Sequence, residues 1–357
     1  MSDETKNEIP VTNEVPDSGK GKVSFKWLIL STLVGLVIVI VFLFIGDFST
    51  NIKALSNFDP KWLSLAALCL IIFWFSESAT IYLTARISGV KLSFLHALDV
   101  NLMGQFYNSV TPFATGGQPM QIYRLYQYGI SPSKGTAITM SRFLIYQSSI
   151  TVLGVFLITF FFRKMSTLPS FSSLALIGFI VNSTVIFFVL IFSFSPKLTR
   201  KIFDFILWLV SRFKFGKKMK AAEEMWIEKI EEFHTTMKSL TASPIKLILA
   251  FIATSVQIFF FYTISYCIYR MFEQPVAPFR EIFAFQGILF MITSFVPVPG
   301  AGGAAEGGFY IFFKNFFSPT TLAGAVIMWR IMTYYMNIFV GAPFALRKPR
   351  NKKYDIM

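Results

Sequence analysis

Long apolar stretches separated by short polar ones dominate this chain. Uninterrupted runs cover roughly 27–45, 62–86, 136–162, 172–194, 246–269 and 320–346, and each is near the ~20 residues that cross a hydrocarbon core as a helix. Neither a helical nor a strand alternation of polarity survives inside them, as expected where lipid rather than water is much of the solvent. Two more apolar segments, about 94–130 and 279–316, are interrupted by Pro and Gly, in Ser109-Val-Thr-Pro-Phe-Ala-Thr-Gly-Gly117 and Ser294-Phe-Val-Pro-Val-Pro-Gly-Ala-Gly-Gly303. The pattern predicts an all-α integral membrane protein with about six full spans plus two broken, re-entrant helical hairpins, since irregular backbone at membrane depth needs a cavity or protein around it.

The polar remainder sets the ends. Residues 1–24 hold five acids and three lysines with Pro10 and Pro16, too little apolar surface to fold, and are expected to be a disordered tail. A membrane domain is expected over 25–346 and a basic tail over 347–357. Residues 196–244 carry apolar positions at helical spacing in Ile202–Val210 and Met225–Phe233, which predicts two amphipathic helices, read as lying in the headgroup region of an anionic leaflet.

Composition agrees with this reading: 54% of residues are hydrophobic and 15% charged, against about 45–50% and 25% in soluble domains. The net charge of +14 is read as topology rather than nucleic-acid binding. Arg86, Lys91, Arg124, Lys134, ten Lys/Arg from Lys197 to Lys238, and Arg347, Lys348, Arg350, Lys352 and Lys353 fall on one side of the predicted scheme. Placing that side, with both termini, in the cytoplasm satisfies the positive-inside rule. Cys69 and Cys267 lie in apolar runs and suggest packing rather than a disulfide framework or metal cluster.

The two broken segments resemble each other. Each has Ser, a β-branched residue, Pro and a glycine pair, followed about 25 residues later by Arg142-Phe-Leu-Ile-Tyr146 or Arg330-Ile-Met-Thr-Tyr334. Repeat one is set at about 62–162 and repeat two at about 246–346, and the scheme of crossings makes them inverted, the arrangement that places a substrate site where repeats meet. Pro112, Pro297 and Pro299 remove backbone donors, while Gly116, Gly117, Gly300, Gly302 and Gly303 permit sharp turns. Half-helix amino termini exposed in this way suit a phosphate.

Ionisable residues at membrane depth are costly and therefore candidates for function. They are Glu77, Asp99, Glu306, Arg142 and Arg330. Arg330 lies about ten residues into its run and Arg142 about six, so Arg330 is the less able to snorkel. The candidate substrate-binding set is Arg330, Arg142, Glu306, Asp99, Glu77, Asn108, Gln118, Tyr334 and Tyr146, with Thr111 in the first broken motif. A structural alternative for Glu306 is a carboxylate that caps a helix or pairs with Arg330. His96 and His234 are the sole histidines, and neither a nucleophile with its base, a metal-ligand spacing nor a nucleotide fingerprint appears; no cofactor or metal is expected.

At Asn108-Ser-Val-Thr-Pro-Phe-Ala-Thr-Gly-Gly117, Val296-Pro-Val-Pro-Gly-Ala-Gly-Gly-Ala-Ala-Glu306-Gly and Trp329-Arg330, the chain resembles the membrane domain of lysylphosphatidylglycerol synthases, the multiple peptide resistance factor family, over about 25–346. The resemblance implies a flippase that moves aminoacylated phosphatidylglycerol between leaflets of a bacterial cell membrane, changing surface charge and resistance to cationic peptides. The soluble synthase domain of that family has no counterpart in the sequence, so a transporter rather than an enzyme is expected. The alternatives are a flippase for a glycolipid or polyprenyl-phosphate sugar, or the membrane subunit of a phosphatidylglycerol lysyltransferase system. An anionic or aminoacylated lipid is the expected partner, with a separately encoded synthase or a second copy as further candidates.

Overall fold

A computed structural model describes residues 58–165, 169–210, 223–272, 277–294 and 296–347. The run at 27–45, the terminal tails and the centre of the 196–244 stretch lie outside them. The described residues contain helices and turns and no strand. In chain order the helices are α1 (Pro60–Ile87), α2 (Phe94–Val110), α3 (Gly117–Gln127), α4 (Pro132–Met165), α5 (Pro169–Phe194), α6 (Pro196–Val210), α7 (Glu223–Ala242), α8 (Pro244–Met271), α9 (Phe279–Thr293), α10 (Ala304–Phe313), α11 (Leu322–Arg330) and α12 (Met336–Leu346).

Local chemistry explains several boundaries. Pro60, Pro132, Pro169, Pro196 and Pro244 each occupy the first position of a helix, where the missing N–H costs nothing and the fixed φ is already helical. The Asp59 carboxylate accepts the amide of Lys61 (2.9 Å) at the head of α1, and the Ser93 hydroxyl accepts that of His96 (3.3 Å) at the head of α2. Both supply an orphan donor with an acceptor.

Among the described residues, four helices are long and apolar enough to cross a membrane: α1, α4, α5 and α8. The expected run at 320–346 is helical too, but Ile331–Tyr335 forms a π-helical turn directly after Arg330 and divides it into α11 and α12. Widened turns of this kind are rare and recur at functional sites. The 94–130 and 279–316 segments are each two helices joined at the Pro/Gly break, with α2 packed on α3 and α9 on α10.

The central seam is α1 against α8. The Asp59 amide at the start of α1 donates to the carbonyl of Met271 at the end of α8 (3.0 Å), and the hydroxyls of Thr80 and Thr254 meet at 3.1 Å. Low numbers on one helix thus meet high numbers on the other, so α1 and α8 run antiparallel. Both helices make the same kind of polar link to the broken helix that follows. On α2, Asn101 donates to Ser78 (3.1 Å), and on α9, Gln286 accepts from Ser265 (2.6 Å). Around the seam, Ala66, Cys69, Leu70, Ile264, Cys267, Ile288, Phe309, Phe313 and Trp329 belong to one buried apolar cluster.

Candidate functional site

The two breaks have the same backbone. Thr111 (φ −115°, ψ 145°) and Val298 (φ −122°, ψ 143°) are extended, Pro112 and Pro299 open a single 3₁₀ turn, and the next two residues take positive φ. Those residues are Phe113 (55°) and Ala114 (52°) in one turn and Gly300 (60°) and Ala301 (54°) in the other. Three of the four carry a Cβ in a region that disfavours it, and such strain persists only where the surroundings impose it. The Ser-x-β-branched-Pro spacing pairs Pro112 with Pro297, whereas the folded turns pair Pro112 with Pro299. The register moves by two residues because Pro and the two left-handed positions define the turn, not the upstream serine; Pro297 lies exposed ahead of it.

Within the first break, the Thr111 hydroxyl donates to the Tyr107 carbonyl (2.7 Å) and accepts the Gly116 amide (2.9 Å), tying the end of α2 to the residue that precedes α3. A Cβ on Gly117 would lie 2.0 Å from Asn108 Oδ1, so this glycine is what allows α3 to turn back against the end of α2. The two turns touch each other, and the second also touches α2.

An arginine closes over the second turn. Arg330 Nε lies 2.5 Å from Glu306 Oε1, an ion pair without the in-line geometry of a hydrogen bond, and Arg330 donates through its terminal nitrogen to the Gly300 carbonyl (2.9 Å). Glu306 accepts the Gly303 amide through its other oxygen (2.7 Å), capping α10. The guanidinium sits 4.5 Å from the centre of the Tyr334 ring, and Tyr334 donates its hydroxyl to the Ser109 carbonyl (3.1 Å) at the end of α2. A Cβ on Gly300 would stand 2.1 Å from that ring. The equivalent position of the first turn carries Phe113 at a similar φ, so it is the approaching tyrosine, added to the left-handed strain, that singles out glycine here.

A second buried pair lies on the other repeat. Arg142 on α4 meets Glu77 on α1 at 2.5 Å, and Gln105 on α2 donates to the second carboxylate oxygen at 2.5 Å. Gln105 and Ser109 are one helical turn apart, and the Ser109 hydroxyl donates to the Gln105 carbonyl (2.9 Å). One face of α2 therefore joins Glu77 and Arg142 to Tyr334, Arg330 and Glu306 over about 6 Å of helix rise. Glu77, Arg142, Glu306 and Arg330 are all less than a tenth exposed.

Asp99 stands apart from this line. Its carboxylate accepts the Tyr128 hydroxyl and lies 3.5 Å from Arg124 Nε. Arg124 was legible only as a loop charge, yet it is 1% exposed, and its terminal nitrogens donate to the carbonyls of Phe344 and Arg347 (2.9 Å to the latter) at the end of α12. Those carbonyls are orphans of the helix terminus, and a cation is their natural cap. Asn108 and Gln118 are half-buried near the first break, and Tyr146 packs with the cluster of Ile150, Ile258, Tyr262 and Met291.

The match to known proteins falls on the same span. Residues 30–341 match the family described as the lysylphosphatidylglycerol synthase TM region. The chain belongs to this family. A protein of Archaeoglobus fulgidus called UPF0104 membrane protein is 29% identical over 291 residues, covering 79% of this chain and 85% of that one. Another of the same description, from Methanothermobacter thermautotrophicus, is 25% identical over 302 residues, covering 81% and 86%. This member of the lysylphosphatidylglycerol synthase TM family is thus a multi-pass membrane protein, and these relatives are archaeal.

Proposed function

We propose that the protein is a lipid flippase whose substrate carries both a phosphate and a cationic group, as aminoacylated phosphatidylglycerol does. The observation that carries this reading is the pair of buried arginine–carboxylate contacts beside two touching helix breaks. Buried ion pairs contribute little net stability compared with apolar side chains of the same volume, so their presence at membrane depth argues for a use other than packing.

A headgroup that carries both phosphate and ammonium can replace both halves of such a pair. Its phosphate takes Arg330 or Arg142, an ammonium takes Glu306 or Glu77, and neither residue of the pair is left without an opposite charge during the exchange. The turns add amides and carbonyls for the glycerol and phosphate oxygens. The antiparallel α1 and α8 and the matched turns support two inverted repeats, about 62–162 and 246–346, that exchange access by rocking about the α1–α8 seam, with acyl chains left in lipid. In this scheme Asp99 and Arg124 hold α12 in place rather than touch substrate, and the chain performs no covalent chemistry.

The test is headgroup translocation in proteoliposomes, comparing lysyl-phosphatidylglycerol, phosphatidylglycerol and a glycosyl-diacylglycerol with wild type and Arg330→Ala. Selective movement of the lysyl lipid, abolished by the substitution, is the expected result. Movement of the glycosyl lipid alone would replace this reading with a glycolipid flippase, and movement of none would direct attention to a separately encoded synthase as the functional partner.

A further inference from the structure

The two amphipathic helices of the 196–244 stretch are used differently. On α7, Phe233, Met237 and Leu240 are buried in one cluster with Ile87, Ala137 and Leu144 of α1 and α4, and Glu232 accepts the Ser131 hydroxyl (2.9 Å) at the head of α4. Its apolar face is spent on protein. The face of α6 is not.

At 3.6 residues per turn, α6 divides into three sectors. Thr199, Phe203 and Leu207 face the protein, with Thr199 and Leu207 buried and Phe203 half-buried. Beside them, Leu198, Ile202, Phe205 and Leu209 form a second apolar stripe that is 37%, 39%, 60% and 50% exposed. Lys197, Arg200 and Lys201, with one acid, Asp204, fill the remaining sector and are exposed. Trp208 lies on the charged side of the border and stacks on Phe205 at 5.9 Å.

The position of this stripe relative to the membrane follows from covalent continuity. The α5 span ends at Phe194 and α6 starts two residues later at Pro196. The Thr199 hydroxyl donates back to the Phe192 carbonyl (3.0 Å), which pins the first turn of α6 to the last turn of α5. A helix held there begins at the boundary between hydrocarbon and headgroups. We infer that α6 is a docking surface for an anionic phospholipid leaflet, its Leu198-Ile202-Phe205-Leu209 stripe immersed among acyl chains, its Lys197-Lys201 edge holding lipid phosphates and Arg200 adding positive charge from the far side. Apolar area fixes such a helix in the interface plane, and the cations select anionic lipid.

Site-directed spin labelling of the full chain tests this. Single cysteines are placed at Lys201, Phe205 and Leu209, with the buried Cys69 and Cys267 replaced by Ala. The labelled proteins are reconstituted in phosphatidylcholine vesicles with increasing phosphatidylglycerol. Expected is strong oxygen and weak nickel-chelate accessibility at 205 and 209, the reverse at 201, and deeper immersion as phosphatidylglycerol rises. Changing Lys197, Arg200 and Lys201 to Gln should shift the half-maximal phosphatidylglycerol fraction upward at least about fivefold. Protection of 205 and 209 from both reagents would mean that a protein or a second copy covers the stripe, and high nickel access would mean that water does; either overturns the inference. Immersion indifferent to phosphatidylglycerol and to the three basic residues would overturn the anionic selection. These readouts do not depend on transport, so failure here is distinguishable from failure of the flippase reading.

Discussion

Removing one charge from the Glu306–Arg330 pair separates its structural from its functional role. In Glu306→Gln the amide oxygen can still accept the Gly303 amide, so the cap of α10 survives and the loss falls on the charge. Arg330 is left 7% exposed without its counterion, and breaking a buried pair from one side costs about 3–5 kcal/mol. The Gly300 carbonyl and the Tyr334 ring at 4.5 Å stay in place. Cation–π contact contributes about 0.5–2 kcal/mol, and closer approach to these groups would recover part of the loss, leaving about 2–4 kcal/mol. At about 2 °C per kcal/mol for a chain of this size, the unfolding midpoint falls by about 4–8 °C. Cys69 and Cys267 are both buried, so a thiol-reactive dye reports unfolding in detergent without added labels. The double substitution Glu306→Gln with Arg330→Met should regain most of that stability, because no buried charge then lacks a partner, but should not regain transport. Additive losses in the two single variants would refute the coupling drawn between these residues.

Three further outcomes follow from particular contacts. Gly300→Ala adds a Cβ at φ +60° and 2.1 Å from the Tyr334 ring, and should cost about 2–4 kcal/mol from left-handed strain and overpacking; adding Tyr334→Ala should relieve the steric share, read from the same dye-based melt. Arg124→Ala leaves Asp99 and the α12 carbonyls without their cation, and hydrogen exchange should rise over the last turn of α12 while the α1–α8 seam stays protected. His234 is buried, with Nδ1 3.0 Å from the Ser193 carbonyl, and burial first, then Lys238, holds its pKa below the ordinary histidine value. The neutral form is thus favoured in the fold, so its stability is fully present above about pH 6.5 and is lost as pH falls through the lowered value; exchange in α7 should increase on acidification in wild type and lose that dependence in His234→Gln.

Much of the architecture was legible in one dimension because its signals are local. Apolar length marks spans whatever they pack against, and Pro60, Pro132, Pro169, Pro196 and Pro244 mark helix starts through their own geometry. Both breaks were visible for the same reason, and Glu306 beside Arg330 was foreseen as one reading of that carboxylate. The register of the repeat was not, because a serine and a spacing stand out in the sequence while the left-handed pair after the proline does not. The role of Arg124 was hidden because its partners, the carbonyls of Phe344 and Arg347, lie more than two hundred residues away.

The sequence by itself determined that this chain is helical, enters a membrane and carries ionisable residues inside its apolar runs. Hydropathy and proline geometry act within a few residues. Only the tertiary structure decided that Glu77 belongs to Arg142 and Asp99 to Arg124, that one face of α2 links the two arginines, and that α7 spends its apolar face on protein while α6 does not. Those choices depend on which distant helices come within 3–4 Å, and pairing free energies at that range are set by packing that no local pattern encodes.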